Sequence, residues 1–461
     1  MRNPLPLLLL ICLPYLVNAQ DTTALAPEDT IAIPVTAPSA YQPGQDSLML
    51  RSYINVLSSR GMAGRGYVAR GMYKAGQYIT GQFTAMGLQP FGKDFAQPYN
   101  YTVNTFPGIV DVKINDRTLK AGEEYLVHPA SSGTMVEALK LSVADGNDWA
   151  KKLSGKLEKP GAVEKAWQKW YKNLSKKKNV YLLKNWEAVA KVMKWANERE
   201  MIAQLPAGVF ILPKKGKPMW SVAQEQVAAT VIELYDTSLV FQKNRKITAT
   251  IQNKFQEKFS TANIAGYVRG TSQPDSFIVI TAHYDHLGKM GSRAMFPGAS
   301  DNASGTAMLL NLARYYAAHP QHYSIAFIAF SGEEAGLLGS QHYTKKPLFP
   351  LAQIRFLINI DIMGDATAGI TAVNGSVHQE QFSLLSRLNQ EGHYLPAVKA
   401  RDKAANSDHY PFSELGVPAF FLYSNGSNSY YHDIWDKAEH ISLRNIPAAG
   451  DLLKQFITAL Q

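Results

Sequence analysis

Among the 461 residues there is a single cysteine, Cys12. One thiol cannot close a disulfide within the chain, and a metal site built from several thiolates is excluded with it. Cys12 lies in the opening stretch MRNPLPLLLLICLPYLVNAQ, which has a basic residue at Arg2, an apolar run from Leu5 to Leu16 and small-residue punctuation before Gln20. That pattern predicts a secretory signal at 1–19, cleaved after Ala19. Cleavage would leave a chain without cysteine, so a cysteine nucleophile is excluded as well. Long apolar runs are also lacking. Beyond the signal no segment reaches the roughly 18 consecutive apolar residues of a membrane span, so no stable membrane insertion is expected. The expected location is secreted or periplasmic.

Acidic residues are the minority charge, 37 against 47 Lys and Arg, for a formal net charge of +10. The lysines concentrate at 151–179, in KKLSGKLEKPGAVEKAWQKWYKNLSKKKN. Trp167, Trp170 and Tyr171 interleave with them at helical spacing. A solvated helical face above a buried aromatic side accounts for that pattern better than a nucleic-acid surface, and no nucleic-acid partner is expected.

What is present is a globular composition, 46% hydrophobic and 18% charged, in a chain long enough for more than one domain. Residues 20–45, rich in Pro, Thr and Ala, read as a flexible leader. Two helical patterns, DSLMLRSYINVLSS from Asp46 and a second ending near Gly87, flank the turn SSRGMAGRG. From Phe106 the texture changes: IVDVKIN and KITATIQ alternate like strands, and GVFIL, ATVIELY and the lysine-rich helices lie between them. From Asn263 short apolar runs (SFIVITA, SIAFIAF, IRFLINI, VPAFFLY) alternate with helical segments, the signature of an α/β sheet covered on both faces. The expected division is 46–107 and 253–461 as two parts of one α/β domain, with 108–252 as an inserted, β-containing domain.

Chemistry gathers where the apolar runs end. FIVITA leads to His283 and Asp285, IAFIAFSG to Glu333 and Glu334, and RFLINI to Asp361. Asp301 opens a helix after FPGAS, and VPAFFLYS runs into YYHDIWD, with His432. Each feature alone has an ordinary reading as a helix cap, an acidic first turn or a loop histidine. Sites in open α/β sheets form beyond the carboxyl ends of the strands, so these positions converge on one rim. Two imidazoles with several carboxylates suit a pair of divalent ions, Zn²⁺ with Co²⁺ or Mn²⁺ as substitutes. Such a pair activates water and polarises a carbonyl, and a spare carboxylate beside it serves as general base.

The motifs AHYDHLG, GASDNASG, SGEEAGLLGS, NIDIMG, SDHYPFSELGVPA and YYHDIWD, in this order, resemble the secreted co-catalytic dizinc aminopeptidases, kin to glutamate carboxypeptidase II. AGRG and the helix after it resemble that family's N-terminal segment, and the middle block occupies the place of its protease-associated insert. The resemblance implies the zinc exopeptidase fold: a mixed, mostly parallel sheet flanked by helices, with a smaller inserted α+β domain. It implies that Asp301 bridges two Zn²⁺, that His283 and Asp361 complete one site, and that Glu334 and His432 complete the other. It makes Glu333 the general base and Tyr431 the donor to the oxyanion. Asp285 would bond the far nitrogen of His283, Asp436 would brace the site, and the Asp301–Asn302 peptide would be cis. The implied substrate is the end of a peptide or protein chain, cut by an aminopeptidase. The alternatives are a dizinc carboxypeptidase or dipeptidase, a single-zinc glutaminyl-cyclase-like enzyme, and a non-catalytic receptor-like ectodomain. The chain departs from the family pattern at Asn406, Lys437 and Asp365, none of them an implied ligand.

Overall fold

The computed structural model describes residues 42, 44–156, 161–176, 179–240, 244–427 and 429–461. The expected signal at 1–19, and the leader apart from residues 42, 44 and 45, lie outside them.

The apolar runs of the C-terminal half become the centre of a nine-stranded sheet. Gln273–His283 lies between Tyr323–Phe330 and Ile354–Ile360, and Ala419–Ser424 follows; all four are parallel. Alternate residues of the run FIVI serve opposite cores, as the strand repeat requires. Ile278 and Ile280 join a cluster with Leu50, Ile54, Leu309 and Leu453 of the covering helices Asp46–Leu57, Gly305–Ala318 and Ile446–Ala459. Phe277 and Val279 join Ile328, Tyr343 and Phe412 on the other face.

The sheet is mixed, as expected, but its flanks carry more antiparallel pairing than a mostly parallel sheet would. Lys254–Val268 runs antiparallel to Tyr323–Phe330 and to Ala96–Thr105, and Ile370–Val373 runs antiparallel to Ala419–Ser424. The parallel middle is thus joined antiparallel to its neighbour on each side, while the edge strand Val398–Arg401 pairs parallel with Ile370–Val373. An apolar run encodes burial and says nothing of direction, so the flanks were not legible in it.

Residues 110–251 build a second, eight-stranded sheet. Helices connect the first three of its parallel strands, Thr134–Asp145, Val180–Lys184 and Gly208–Pro213, a loop leads to the fourth, Ala229–Leu234, and Lys246–Ile251 and Val110–Ile114 extend it antiparallel. The helices Gly146–Ser154 and Ala162–Lys176 bury Leu153, Trp167 and Trp170 against Trp186 and Val231, while Lys151, Lys152, Lys165, Lys169 and Lys172 are exposed. The side chain of Tyr171 lies outside the described set. The ladder between Ala96–Thr105 and Lys254–Val268 ends at the pair Thr105 and Lys254, where the chain passes to and from the second sheet. A hairpin of Gly288–Met290 and Ala294–Phe296 inserts Met290 and Phe296 into the second sheet's core, so both halves share apolar contacts beside the rim. Among the described residues no helix is long and apolar enough to cross a membrane.

Candidate metal centre

Five strand ends and loops deliver the expected side chains to one place. His283 is the last residue of its strand and Asp361 directly follows Ile354–Ile360. Glu333 and Glu334 lie just past Tyr323–Phe330. Asp301 sits at a non-helical kink (φ −111°, ψ 102°) in the turn Ala299–Ser304 that leads into Gly305–Ala318, and the Asp301–Asn302 peptide is cis. The Asn302 side chain holds this kink, donating to the Ile360 carbonyl while its oxygen accepts from Gly305 and Ile362.

Asp301 faces both ways. Its Oδ1 is 3.3 Å from His283 Nε2 and its Oδ2 is 3.1 Å from His432 Nε2. His283 Nε2 is also 3.2 Å from Asp361 Oδ1, and His432 Nε2 is 3.2 Å from Glu334 Oε2. The donor atoms of His283, Asp301 and Glu334 lie within 4.8 Å of one another, as do those of His283, Glu333 and Asp361.

The imidazoles test what the site holds. His283 Nδ1 lies 3.2 Å from the Asp285 carbonyl and His432 Nδ1 lies 3.0 Å from the Trp220 carbonyl. A carbonyl only accepts, which assigns the ring proton to Nδ1 in each case. Each Nε2 lone pair then faces carboxylate oxygens, an arrangement that repels unless a cation stands between. A proton is one such cation. Burial by itself depresses both histidines, but the surrounding carboxylates win and hold His283 well above the usual imidazole range and His432 up to about 11. The same attraction, through Asp301's bonds with both histidines, outweighs burial and holds Asp301 well below the usual carboxylate range. Glu334 falls to about 2, because His432 and His286 together outweigh burial and the repulsion of Asp301. Divalent ions suit the same oxygen and nitrogen set, with a carboxylate shared between two histidine-bearing halves.

Each ligand candidate is itself braced, as metal ligands usually are. Asp361 Oδ2 accepts from Ser407 Oγ at 2.8 Å, and Ser407 accepts from Asn359, which Thr281 fixes in turn. Asp436 takes the backbone N–H groups of Ser300 and Asp301 on its two oxygens. Asp285 departs from the expected pairing. Its backbone carbonyl is what meets His283 Nδ1; its carboxylate oxygen is 3.8 Å from that nitrogen. The carboxylate is drawn to the N–H groups of Glu333 and Glu334, at 3.2 and 3.4 Å. Asp285 thus positions the two glutamates as well as the histidine.

Three contributors were not assigned from the sequence. His286 is buried with Nδ1 2.7 Å from Glu334 Oε1, so the second histidine of HYDH braces a ligand candidate from the opposite half of the site. Arg65, in AGRG, is fully buried and donates to the carbonyls of Leu57, Tyr284, Pro297, Gly298 and Asp301. Burial draws it down to about 10, against the pull of Asp301, Asp436, Asp285 and Glu334. Its guanidinium pins the loop that carries Asp301 from behind. The turn comes this close because Gly66 meets Gly288: a Cβ on Gly66 would stand 2.4 Å from the Gly288 Cα. The third is Trp220, whose carbonyl meets His432 from the second sheet's half of the chain.

Tyr431 stacks on His432, with ring centroids 3.9 Å apart. Partial burial and the charges of Asp301, Glu334, Asp361 and Glu333 push its hydroxyl far above the usual phenol range, so it stays a donor. Glu333 is pushed well above the usual carboxylate range by desolvation and by Glu334 and Asp361, against the pull of His283.

Residues 263–457, which include every ligand candidate, match Peptidase family M28. Aminopeptidase YwaD of Bacillus subtilis (strain 168) is 31% identical over 223 residues, 43% of this chain and 47% of that protein. A probable leucine aminopeptidase of Arthroderma otae is 28% identical over 209 residues, 42% of this chain and 55% of that protein. The chain thus spans about half the length of these curated relatives. Among solved structures, BSAP, a zinc aminopeptidase from Bacillus subtilis, aligns with a TM-score of 0.64 at 20% identity, over 93% of this chain and 96% of that one. The Peptidase M28 precursor from Shewanella amazonensis aligns with a TM-score of 0.61 at 15% identity, over 90% and 97%. These two are likenesses of fold, and they reach well beyond the segment matched by the family.

Proposed function

We propose that this chain is an exported dizinc metallopeptidase of the M28 type that releases residues from the N-terminus of peptides. The observation that carries the reading is Asp301, whose two oxygens face two different histidines, each paired with a further carboxylate. His283 and Asp361 would hold one zinc ion, His432 and Glu334 a second, and Asp301 both. Bound there, zinc supplies Lewis acidity toward a substrate carbonyl and a water. Glu333 takes the proton of the attacking water and returns it to the leaving amine. Tyr431 donates from its hydroxyl to the oxygen on which charge develops. The free α-amine of the substrate is placed among Glu333 and Asp361. The second sheet's half, in the position of a protease-associated insert, would roof the cleft and admit chain ends. Export rests on the N-terminal signal pattern and the cysteine-free remainder of the chain.

A carboxypeptidase needs cations facing the site. The basic cluster nearest in sequence does not supply them. Lys399 and Arg401 are exposed on the edge strand Val398–Arg401, and Lys403 is exposed and paired with Glu414. The deciding experiment compares a panel of aminoacyl chromogenic amides with the same amides N-acetylated. Turnover of the free-amine series and little or none of the blocked series is expected. Equal cleavage of both series would remove the N-terminal preference from the reading.

A further inference from the structure

The C-terminal half braces both sides of the metal centre, through Asp285 and Ser407 on one side and through His286 at Glu334 on the other. Among the described residues, only one side is also held from the second sheet's half of the chain. On the His283 and Asp361 side, the bracing groups are the Asp285 carbonyl and the hydroxyl of Ser407, both in the C-terminal α/β half. On the His432 and Glu334 side, much of the bracing comes from residues 217–224, which leave the strand Gly208–Pro213 of the second sheet. His432 is the residue that most needs it. Its backbone sits at φ +58°, a left-handed conformation that costs a non-glycine residue free energy and persists only where neighbours over-determine it.

Trp220 grips His432 at two points: its N–H donates to the His432 carbonyl and its carbonyl accepts from His432 Nδ1, both at 3.0 Å. Trp220 is anchored in turn, with its indole N–H on the Val127 carbonyl at 2.8 Å and its ring stacked on Phe296. The ammonium of Lys217 gathers the carbonyls of Ser429 and Tyr431, at 2.6 and 2.9 Å, and the carboxylate of Asp433, at 3.2 Å. Gln224 donates to the carbonyl of Ala335, the residue after Glu334.

We infer that the segment Lys217–Gln224 is a clip that positions His432 and Tyr431 and steadies the turn after Glu334 through the Ala335 carbonyl. It makes the second sheet's half of the chain a structural member of one metal position and not of the other. Lys217, Trp220 and Gln224 are positioning residues and touch no reacting group. The inference rests on the proposed function and adds an asymmetry to it: loosening the clip weakens one metal position and leaves its neighbour intact.

The test is zinc titration of the full-length metal-free protein, wild type and Lys217→Met, in competition with a chromophoric chelator. Lys217 is partly exposed, so methionine is accommodated at the surface. Wild type is expected to take two equivalents. In Lys217→Met one equivalent keeps its affinity and the other weakens about 10–100-fold, the usual range for a lost partner of a ligand. Lys217→Arg, which keeps the cation, recovers most of that affinity. Gln224→Leu, which removes only the contact at Ala335, weakens the same equivalent by a smaller factor and serves if Lys217→Met does not fold. Two tight equivalents in a folded Lys217→Met overturn the clip alone, as does equal weakening of both. Wild-type protein that binds no zinc brings down the proposed function and the clip together.

Discussion

Glu333→Gln is expected to lower kcat by about 10²–10⁴-fold while the zinc content of the purified protein stays at the wild-type level. Glutamine keeps the size of the side chain and the backbone N–H that Glu333 gives to Asp285. What it loses is the capacity to take a proton from water and pass it on. Steady-state kinetics on a cleaved amide, with elemental analysis of the same samples, reads both quantities. The pairing matters because the oxygens of Glu333 lie close enough to those of Asp361 and to the His283 nitrogen to group with them as ligands. Lost zinc would therefore mark Glu333 as a ligand and leave the base unassigned.

Asp301→Asn is expected to have the second large effect, and it acts on metal first. Among the described residues Asp301 is the side chain that lies within 3.3 Å of both His283 and His432. An asparagine keeps one acceptor oxygen and turns an NH₂ toward one of the two histidines, without the negative charge that offsets two neighbouring cations. Loss of at least one zinc equivalent follows, and with it the several kcal/mol of transition-state stabilisation that such an ion supplies, about 10³-fold in kcat/KM. Zinc titration beside kinetics checks it. Asp301→Asn protein that retains both equivalents and ordinary turnover would show that Asp301 is not shared. The backbone of the loop should survive the substitution. Arg65 and Asp436 hold it through its carbonyls and N–H groups rather than through the Asp301 carboxylate.

How much of this was legible depended on which atoms do the work. Near-continuous apolar runs marked the central strands, and the residue at each run's end carries the chemistry, so His283, Glu334 and Asp361 could be picked out one strand at a time. Strand direction at the flanks was hidden, because Lys254–Val268 and Ile370–Val373 look the same to hydropathy whichever way they run. Asp285 was expected to use its carboxylate and uses its carbonyl for His283 instead, a choice decided by the N–H groups of Glu333 and Glu334 competing for that carboxylate. His286 had no visible role since its partner, Glu334, follows 48 residues later. Trp220 was further out of reach: it meets His432 through a peptide N–H and carbonyl that every residue but proline possesses, so its side chain carried no signal. Lys217 stood in the expected insert 108–252, outside the lysine-rich stretch at 151–179 and away from every motif that carried a site candidate.

The central claim is that two divalent ions share Asp301. The most direct measurement is the zinc stoichiometry of the purified full-length protein, by elemental analysis against quantitative amino-acid analysis. Two equivalents per chain, both removed by a strong chelator with loss of amide hydrolysis and both restored with its return, are predicted. A single equivalent that supports full activity would contradict the account.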